Sequence, residues 1–204
     1  MYLLVSAILG YLLGSVPFAV IVSRAFRLAD PRSFGSGNPG ATNVLRSGSK
    51  IAALLTLLGD AAKGWLAMFI AQKVGAGETA IAVAGLAAFL GHVFPCTLGF
   101  KGGKGVATAL GVLLGFSGAL AGVTAAIWLG VVIFTRYSSL AALAAATTAP
   151  ALTWWLLGRS DAIAAITFMC AVLIYRHKSN IRKLLAGSEG RVGGRKRDPD
   201  PSTL

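Results

Sequence analysis

From Gly105 to Thr135 the chain runs for 31 residues without a charged side chain. Drawn as one α-helix, that stretch would measure about 46 Å. The hydrocarbon core of a bilayer is roughly 30 Å thick, so the stretch is too long for one crossing and short for two. Lipid offers backbone amides no hydrogen bonds, which restricts a spanning chain to helices or a closed barrel. Other apolar runs of near-spanning length flank this one, and the expected spans lie near 2–23, 51–72, 79–97, 105–116, 118–135, 139–157 and 161–175. The expected fold is all-α, a polytopic integral membrane protein of about seven transmembrane helices. Only 13% of residues are charged and 55% are hydrophobic, whereas about a quarter are charged in a soluble domain.

Charge position sets the orientation. Sixteen of the nineteen Lys and Arg residues fall in alternate loops: Arg24 to Lys50, Lys101 and Lys104, Arg136, and the tail from Arg176 to Arg197. The positive-inside rule makes that side cytoplasmic and leaves the N-terminus outside. An odd number of spans follows, which requires the 31-residue stretch to break near Gly115-Phe116-Ser117-Gly118. A short helix starting at Gly105 would then begin below the membrane surface, with its N-terminal N–H groups facing a site in the bundle. The net charge of +12 is thereby read as membrane topology, and nucleic acid is not an expected partner. MYLLVSAILGYLL has no basic leader, so it reads as a retained first span. Cys96 and Cys170 read as lone packing residues. One transmembrane domain is expected over 1–187, with a basic, disordered tail over 188–204 that lies against anionic lipid.

Four polar segments interrupt this apolar background on the one side. The first, GFKGGKGVAT (99–108), carries glycines that admit backbone N–H groups to an anion and opens a helix whose dipole favours one. It is not a nucleotide P-loop, because Gly105 follows Lys104 where a hydroxyl is required and Leu98 stands where the first glycine belongs. The second, GSGNPGATNVLR (35–46), offers Ser36, Asn38, Thr42 and Asn43 beside the guanidinium fork of Arg46. TRYSS (135–139) and RHKSNIRKLL (176–185) bring Ser139, His177 and Asn180, the last two three residues apart on one helix face. Asp60 and Lys63, one turn apart inside the second span, read as a mutually paired structural couple. Neither histidine has an aspartate five positions on, no Gly-x-Ser-x-Gly elbow occurs, and no aspartate cluster suggests a metal. Any chemistry must run on phosphate binding and positioning.

The four segments GSGNPGATNVLR, GHVFPCTLGFKGGKGVAT, TRYSS and RHKSNIRKLLAGSE, in that order and spacing, resemble the acyl-phosphate:glycerol-3-phosphate acyltransferase family of bacterial membranes. The resemblance runs from Gly14 to Glu189. It implies a seven-helix enzyme of the bacterial cytoplasmic (inner) membrane, its active site facing the cytoplasm. Such an enzyme moves a fatty acyl group from acyl phosphate to the 1-hydroxyl of glycerol 3-phosphate and releases lysophosphatidic acid and phosphate. The implied catalytic residues are Ser36, Arg46, Lys104, His177 and Asn180. The implied substrate-binding residues are Thr42, Asn43, Gly102, Gly103, Gly105, Thr108 and Ser139. The amides of Gly102, Gly103 and Gly105 would cradle the acyl-phosphate head, and Arg46 with His177 the glycerol phosphate. Ser36 and Asn43 would either donate toward the carbonyl oxygen or fix their loop. No metal and no cofactor is implied; the partners are the two substrates, the bilayer and the enzyme that supplies acyl phosphate. Two rival readings remain: a transporter of phosphate-bearing anions, which would use the same glycines and helix termini, and a transferase that uses acyl-CoA.

Overall fold

The computed structural model describes residues 1–193, all of whose regular structure is helical. The first apolar run is two helices, α1 (Tyr2–Gly14) and α2 (Phe18–Ala25). Pro17 causes the break: it has no N–H to donate and pushes Val16 out of the helical region. The break is stapled from outside. Thr97 Oγ1 donates to the Ser15 carbonyl at 2.6 Å, and Tyr11 Oη donates to Phe94 O at 2.7 Å.

After a loop holding the short α3 (Ala41–Leu45) come α4 (Lys50–Lys73) and α5 (Glu78–Val93). The loop had been expected without a helix. Ser49 caps α4 by accepting from Ala52 N at 3.2 Å, the ordinary use of a hydroxyl at that position. Pro95 and a single 3₁₀ turn over Cys96–Leu98 end the third run. The long uncharged stretch then divides into α6 (Val106–Phe116) and α7 (Gly118–Thr135), and Ser117 breaks it and caps α7. α8 (Ser138–Leu157), α9 (Ser160–Arg176) and α10 (Lys178–Leu185) complete the described chain. Among the described residues, five segments are long and apolar enough to cross a membrane. A sixth joins them if α9 and α10, bent by 56°, count as one. α6, at 11 residues, is too short to cross alone.

The bundle is inverted relative to a soluble protein. Its interior is mostly small: Ala52, Ala80, Ala84, Ala88, Ala141 and Ala162 are all buried, while Leu4, Phe134, Trp154 and Trp155 are exposed. Association in lipid has no hydrophobic drive between helices and relies on close backbone contact. Gly10 and Gly14 of α1 lie on the carbonyls of Ala84 and Ala88, and Gly111 of α6 on that of Ala61. α5 is the central member, with Phe89, His92 and Val93 wholly or nearly buried, and α9 packs on its other side.

The segment after α10 departs from the expected free tail. Up to Gly193 it folds back over the α7–α8 turn, where Val192 N donates to Arg136 O at 2.7 Å and Arg191 Nε donates to Tyr137 Oη at 3.2 Å. The rest of that tail, 194–204, lies outside the described residues.

Candidate active site

A cavity of about 620 Å³ opens among α4, α6, α7, α8 and α9, within the size range of small-molecule sites. One end is polar. There the 36–46 loop brings Ser36, Thr42, Asn43 and Arg46, the glycine loop brings Lys104 and Gly105, the start of α8 brings Ser139, the C-cap of α9 brings His177 and α10 brings Asn180. The rest is apolar, lined by Leu57, Leu110, Leu113, Ala146, Ala149 and Ile166 among others. Nine of the twelve site residues implied by the resemblance thus line one cavity, although they come from four segments spread over 145 positions.

The polar end is wired together. Lys104 Nζ donates to Asn180 Oδ1 at 2.5 Å, Asn180 Nδ2 donates to Glu189 Oε1 at 2.6 Å, and Ser139 Oγ donates to the same oxygen at 2.6 Å. Burial pulls the Lys104 amine down to about 8 from its ordinary 10.5. Glu189 opposes that shift, and Arg46, Lys183 and Arg176 add to it. His177 Nδ1 sits 2.8 Å from the Leu173 carbonyl. A carbonyl only accepts, so Nδ1 carries the proton and Nε2 of the neutral ring is an acceptor. Burial also lowers His177, to about 4, so the ring is neutral near pH 7. Arg46 is exposed at the mouth and donates only to Asn43 Oδ1, at 3.3 Å, among the described residues.

Asn43 belongs to the loop's own scaffold. Its amide donates to Pro31 O at 2.6 Å and Phe34 O at 3.1 Å, and its oxygen accepts from Ser36 N at 3.0 Å. Of the two alternatives open in the sequence, this geometry corresponds to fixing the loop. Gly102 and Gly103 stand apart from the large cavity. Their amides donate to the last carbonyls of α5, Val93 O at 3.2 Å and His92 O at 3.1 Å, so neither is free for an anion. They border a small recess shared with Asp60, Lys63 and His92. Thr108 is fully buried, faces α4 beside Gly64, and does not line the cavity. Gly105 does line it, with φ +90 at the start of α6, and a Cβ there would run into the Phe89 ring. Ala109 N is the first amide of α6 to bond back, to Gly105 O at 2.7 Å, so the N–H groups of Val106 and Ala107, residues that line the cavity, have no intrahelical acceptor.

Three contributors were not singled out from sequence. Glu189 bridges Ser139 and Asn180. Its signal was present, since it is the lone carboxylate in the basic run 176–197. Arg176 Nη2 donates to Gly102 O at 3.0 Å, a long-range contact that no local pattern announces. His92 joins the Asp60–Lys63 pair, with Nδ1 3.3 Å from Asp60 Oδ1. Among the described residues no cluster of three or more His, Cys, Asp or Glu could hold a metal.

A helical membrane bundle around one cavity, cationic at its end and apolar along its depth, is the frame of a membrane protein that handles an amphiphile with an anionic head. The comparisons narrow this. The family model "Glycerol-3-phosphate acyltransferase" matches residues 4–187. The chain belongs to that family and is an acyltransferase of the integral membrane kind. It is 57% identical over 197 residues to the glycerol-3-phosphate acyltransferase of Laribacter hongkongensis, covering 94% of this chain and 97% of the relative. It is 57% identical to that of Aromatoleum aromaticum, covering 92% and 95%. Among solved structures it resembles PlsY (YgiH), an integral membrane glycerol 3-phosphate acyltransferase, in its glycerol 3-phosphate form. That match has a TM-score of 0.88, 38% identity, and 94% of this chain and 96% of that one covered. The lysophosphatidic acid form of PlsY matches with a TM-score of 0.87.

Proposed function

We propose that this enzyme transfers a fatty acyl group from acyl phosphate to the 1-hydroxyl of glycerol 3-phosphate, giving lysophosphatidic acid and inorganic phosphate. The observation that carries the reading is the continuity of one cavity from Lys104 and Arg46 to an apolar interior: an anionic head and a fatty chain fit it as one molecule. The solved relative with glycerol 3-phosphate and lysophosphatidic acid forms supports the acceptor and the product. The reading also places seven crossings in the bacterial cytoplasmic membrane, with α6 as the short one, the N-terminus outside, and the basic, catalytic side facing the cytoplasm.

In this scheme the α6 N-terminus, with Gly105, Val106 and Ala107, takes the acyl-phosphate head, and Lys104 compensates the charge gathering on the leaving phosphate. Arg46 takes the phosphate of glycerol 3-phosphate. His177 Nε2, an acceptor, orients the attacking hydroxyl instead of binding phosphate as a cation. Ser36 donates toward the carbonyl oxygen, while Asn43 keeps Ser36 in place. The hydroxyl oxygen bonds to the acyl carbon, the carbon–oxygen bond to phosphate breaks, and the phosphate of glycerol 3-phosphate receives the hydroxyl proton. A mixed anhydride already has a good leaving group. Holding both substrates in line contributes about 7–11 kcal/mol, and each preorganised oxyanion donor about 3–4 kcal/mol.

The test offers purified enzyme and glycerol 3-phosphate either palmitoyl phosphate or palmitoyl-CoA, with chelator present. Lysophosphatidic acid and phosphate are expected from acyl phosphate alone. Product only from the thioester would discard the leaving-phosphate scheme. An α,α-difluorophosphonate analogue of the acceptor, whose phosphonate is less basic than the natural phosphate, should react more slowly, and an equal rate would remove that group as proton acceptor.

A further inference from the structure

The glycine loop that carries Lys104 is fixed by buried groups with no part in the scheme above. Its backbone is held on two sides. The amides of Gly102 and Gly103 bond to α5, and their carbonyls accept from Arg176 Nη2 at 3.0 and 3.4 Å. On a third side lies one side chain. The His92 ring packs directly against Gly103, so closely that a Cβ on Gly103 would overlap Nε2.

That ring is the end of a buried polar chain. Its Nδ1 faces Asp60 Oδ1 at 3.3 Å, Asp60 pairs with Lys63 at 2.8 Å, and Lys63 Nζ donates to the Val16 carbonyl at 2.9 Å. That carbonyl sits at the Pro17 break in the first span, where it also accepts from Phe18 N at 3.2 Å. The Asp60–Lys63 couple is already neutral as a pair, so charge compensation alone does not call for a histidine. Asp60 and His92 also line the reaction cavity, whereas Lys63 does not.

We infer that His92, braced by Asp60, is a positioning residue for the acyl transfer: its ring sets where Gly103 sits and thereby where Lys104 and the first turn of α6 stand. Gly103 is bonded directly to Lys104, so a displacement at the ring reaches the ammonium through one residue. A misplacement of about 1 Å at such a site costs on the order of a hundredfold in rate. The inference rests on Lys104 and α6 being the anion-binding elements.

The experiment compares wild type, His92→Asn, His92→Gln and Lys104→Ala, each purified to a single size-exclusion peak. Steady-state kinetics are run for both substrates, and a melting temperature is taken for each. His92→Asn keeps a donor where Nδ1 stood and removes the far edge of the ring. The expected result is a melting temperature near wild type, with KM for acyl phosphate raised about tenfold and kcat lowered less. His92→Gln, which extends back toward Gly103, should recover part of that loss, and Lys104→Ala should be inactive. Wild-type constants in both folded histidine variants beside an inactive Lys104→Ala would overturn the inference and leave the site reading standing. An active Lys104→Ala would overturn both. Failure of both histidine variants to fold would also overturn it, because the cluster would then be a folding element.

Discussion

Replacing Lys104 with methionine should make the protein more stable while it abolishes activity. The amine is held mostly by burial at about 8 in place of 10.5. At pH 7 the folded state therefore carries a charge that its surroundings disfavour, at a cost of about 3 kcal/mol. Methionine has nearly the same length and no charge. It forfeits the charge-assisted bond to Asn180, worth about 2 kcal/mol, and leaves a net gain of about 1 kcal/mol. The sign can be followed with pH. Between about 8 and 10.5 the unfolded chain binds the Lys104 proton and the folded chain does not, so wild-type stability rises with pH across that window. The advantage of Lys104→Met should be largest below pH 8 and should shrink as pH climbs to 10.5. Denaturation scans in detergent at pH 7, 8.5 and 10, wild type beside variant, would measure it. A variant less stable than wild type at pH 7, or a difference that ignores pH, would refute the reasoning.

Arg46→Ala should lower kcat/KM by about a hundredfold or more with an unchanged melting curve, since Arg46 is exposed and its one side-chain hydrogen bond among the described residues is the 3.3 Å contact to Asn43. Asp60→Asn should destabilise by about 3–5 kcal/mol because it strands the buried Lys63 charge, and Asp60→Asn with Lys63→Met should recover most of that. Stability should fall as pH drops from about 6.5 toward 4. His177, held near 4 by burial, resists the proton that the unfolded chain accepts, and an acid titration of the melting temperature checks this. Gly105→Ala should abolish activity and lower stability, because φ +90 and the Phe89 ring both exclude a side chain; product formation and a melting scan read the two effects.

Most of the helices were legible, for a physical reason: apolar runs in lipid are bounded by charges, and Arg24, Lys50, Lys101 and Arg136 mark their ends. The break at Ser117 followed from length and charge parity alone. Short α3 was missed because five residues inside a Gly- and Ser-rich loop carry no periodicity. The gathering of Arg46, Lys104, His177 and Asn180 was legible only as a resemblance among four segments. What the sequence left open was which groups are already engaged. Gly102 and Gly105 look alike in GFKGGKGVAT, yet one amide is bonded to α5 and the other glycine opens a helix into the cavity. That difference is made by Val93 and Phe89, residues of another helix.

α6 and α7 share the Ser117 corner, and their lengths differ by seven residues. At 1.5 Å per residue, α6 is about 10 Å shorter than its neighbour. A lipid headgroup recruited to the surface has to be lifted, and each methylene drawn from hydrocarbon into water costs about 0.8 kcal/mol. Under the acyl-phosphate reading proposed above, a receptor at the start of the short α6 removes that lift. Over 10 Å, roughly eight methylenes stay dry, about 6 kcal/mol that substrate capture does not have to supply. In that reading the water-soluble acceptor makes the journey instead, down a polar mouth, and it has no tail to drag.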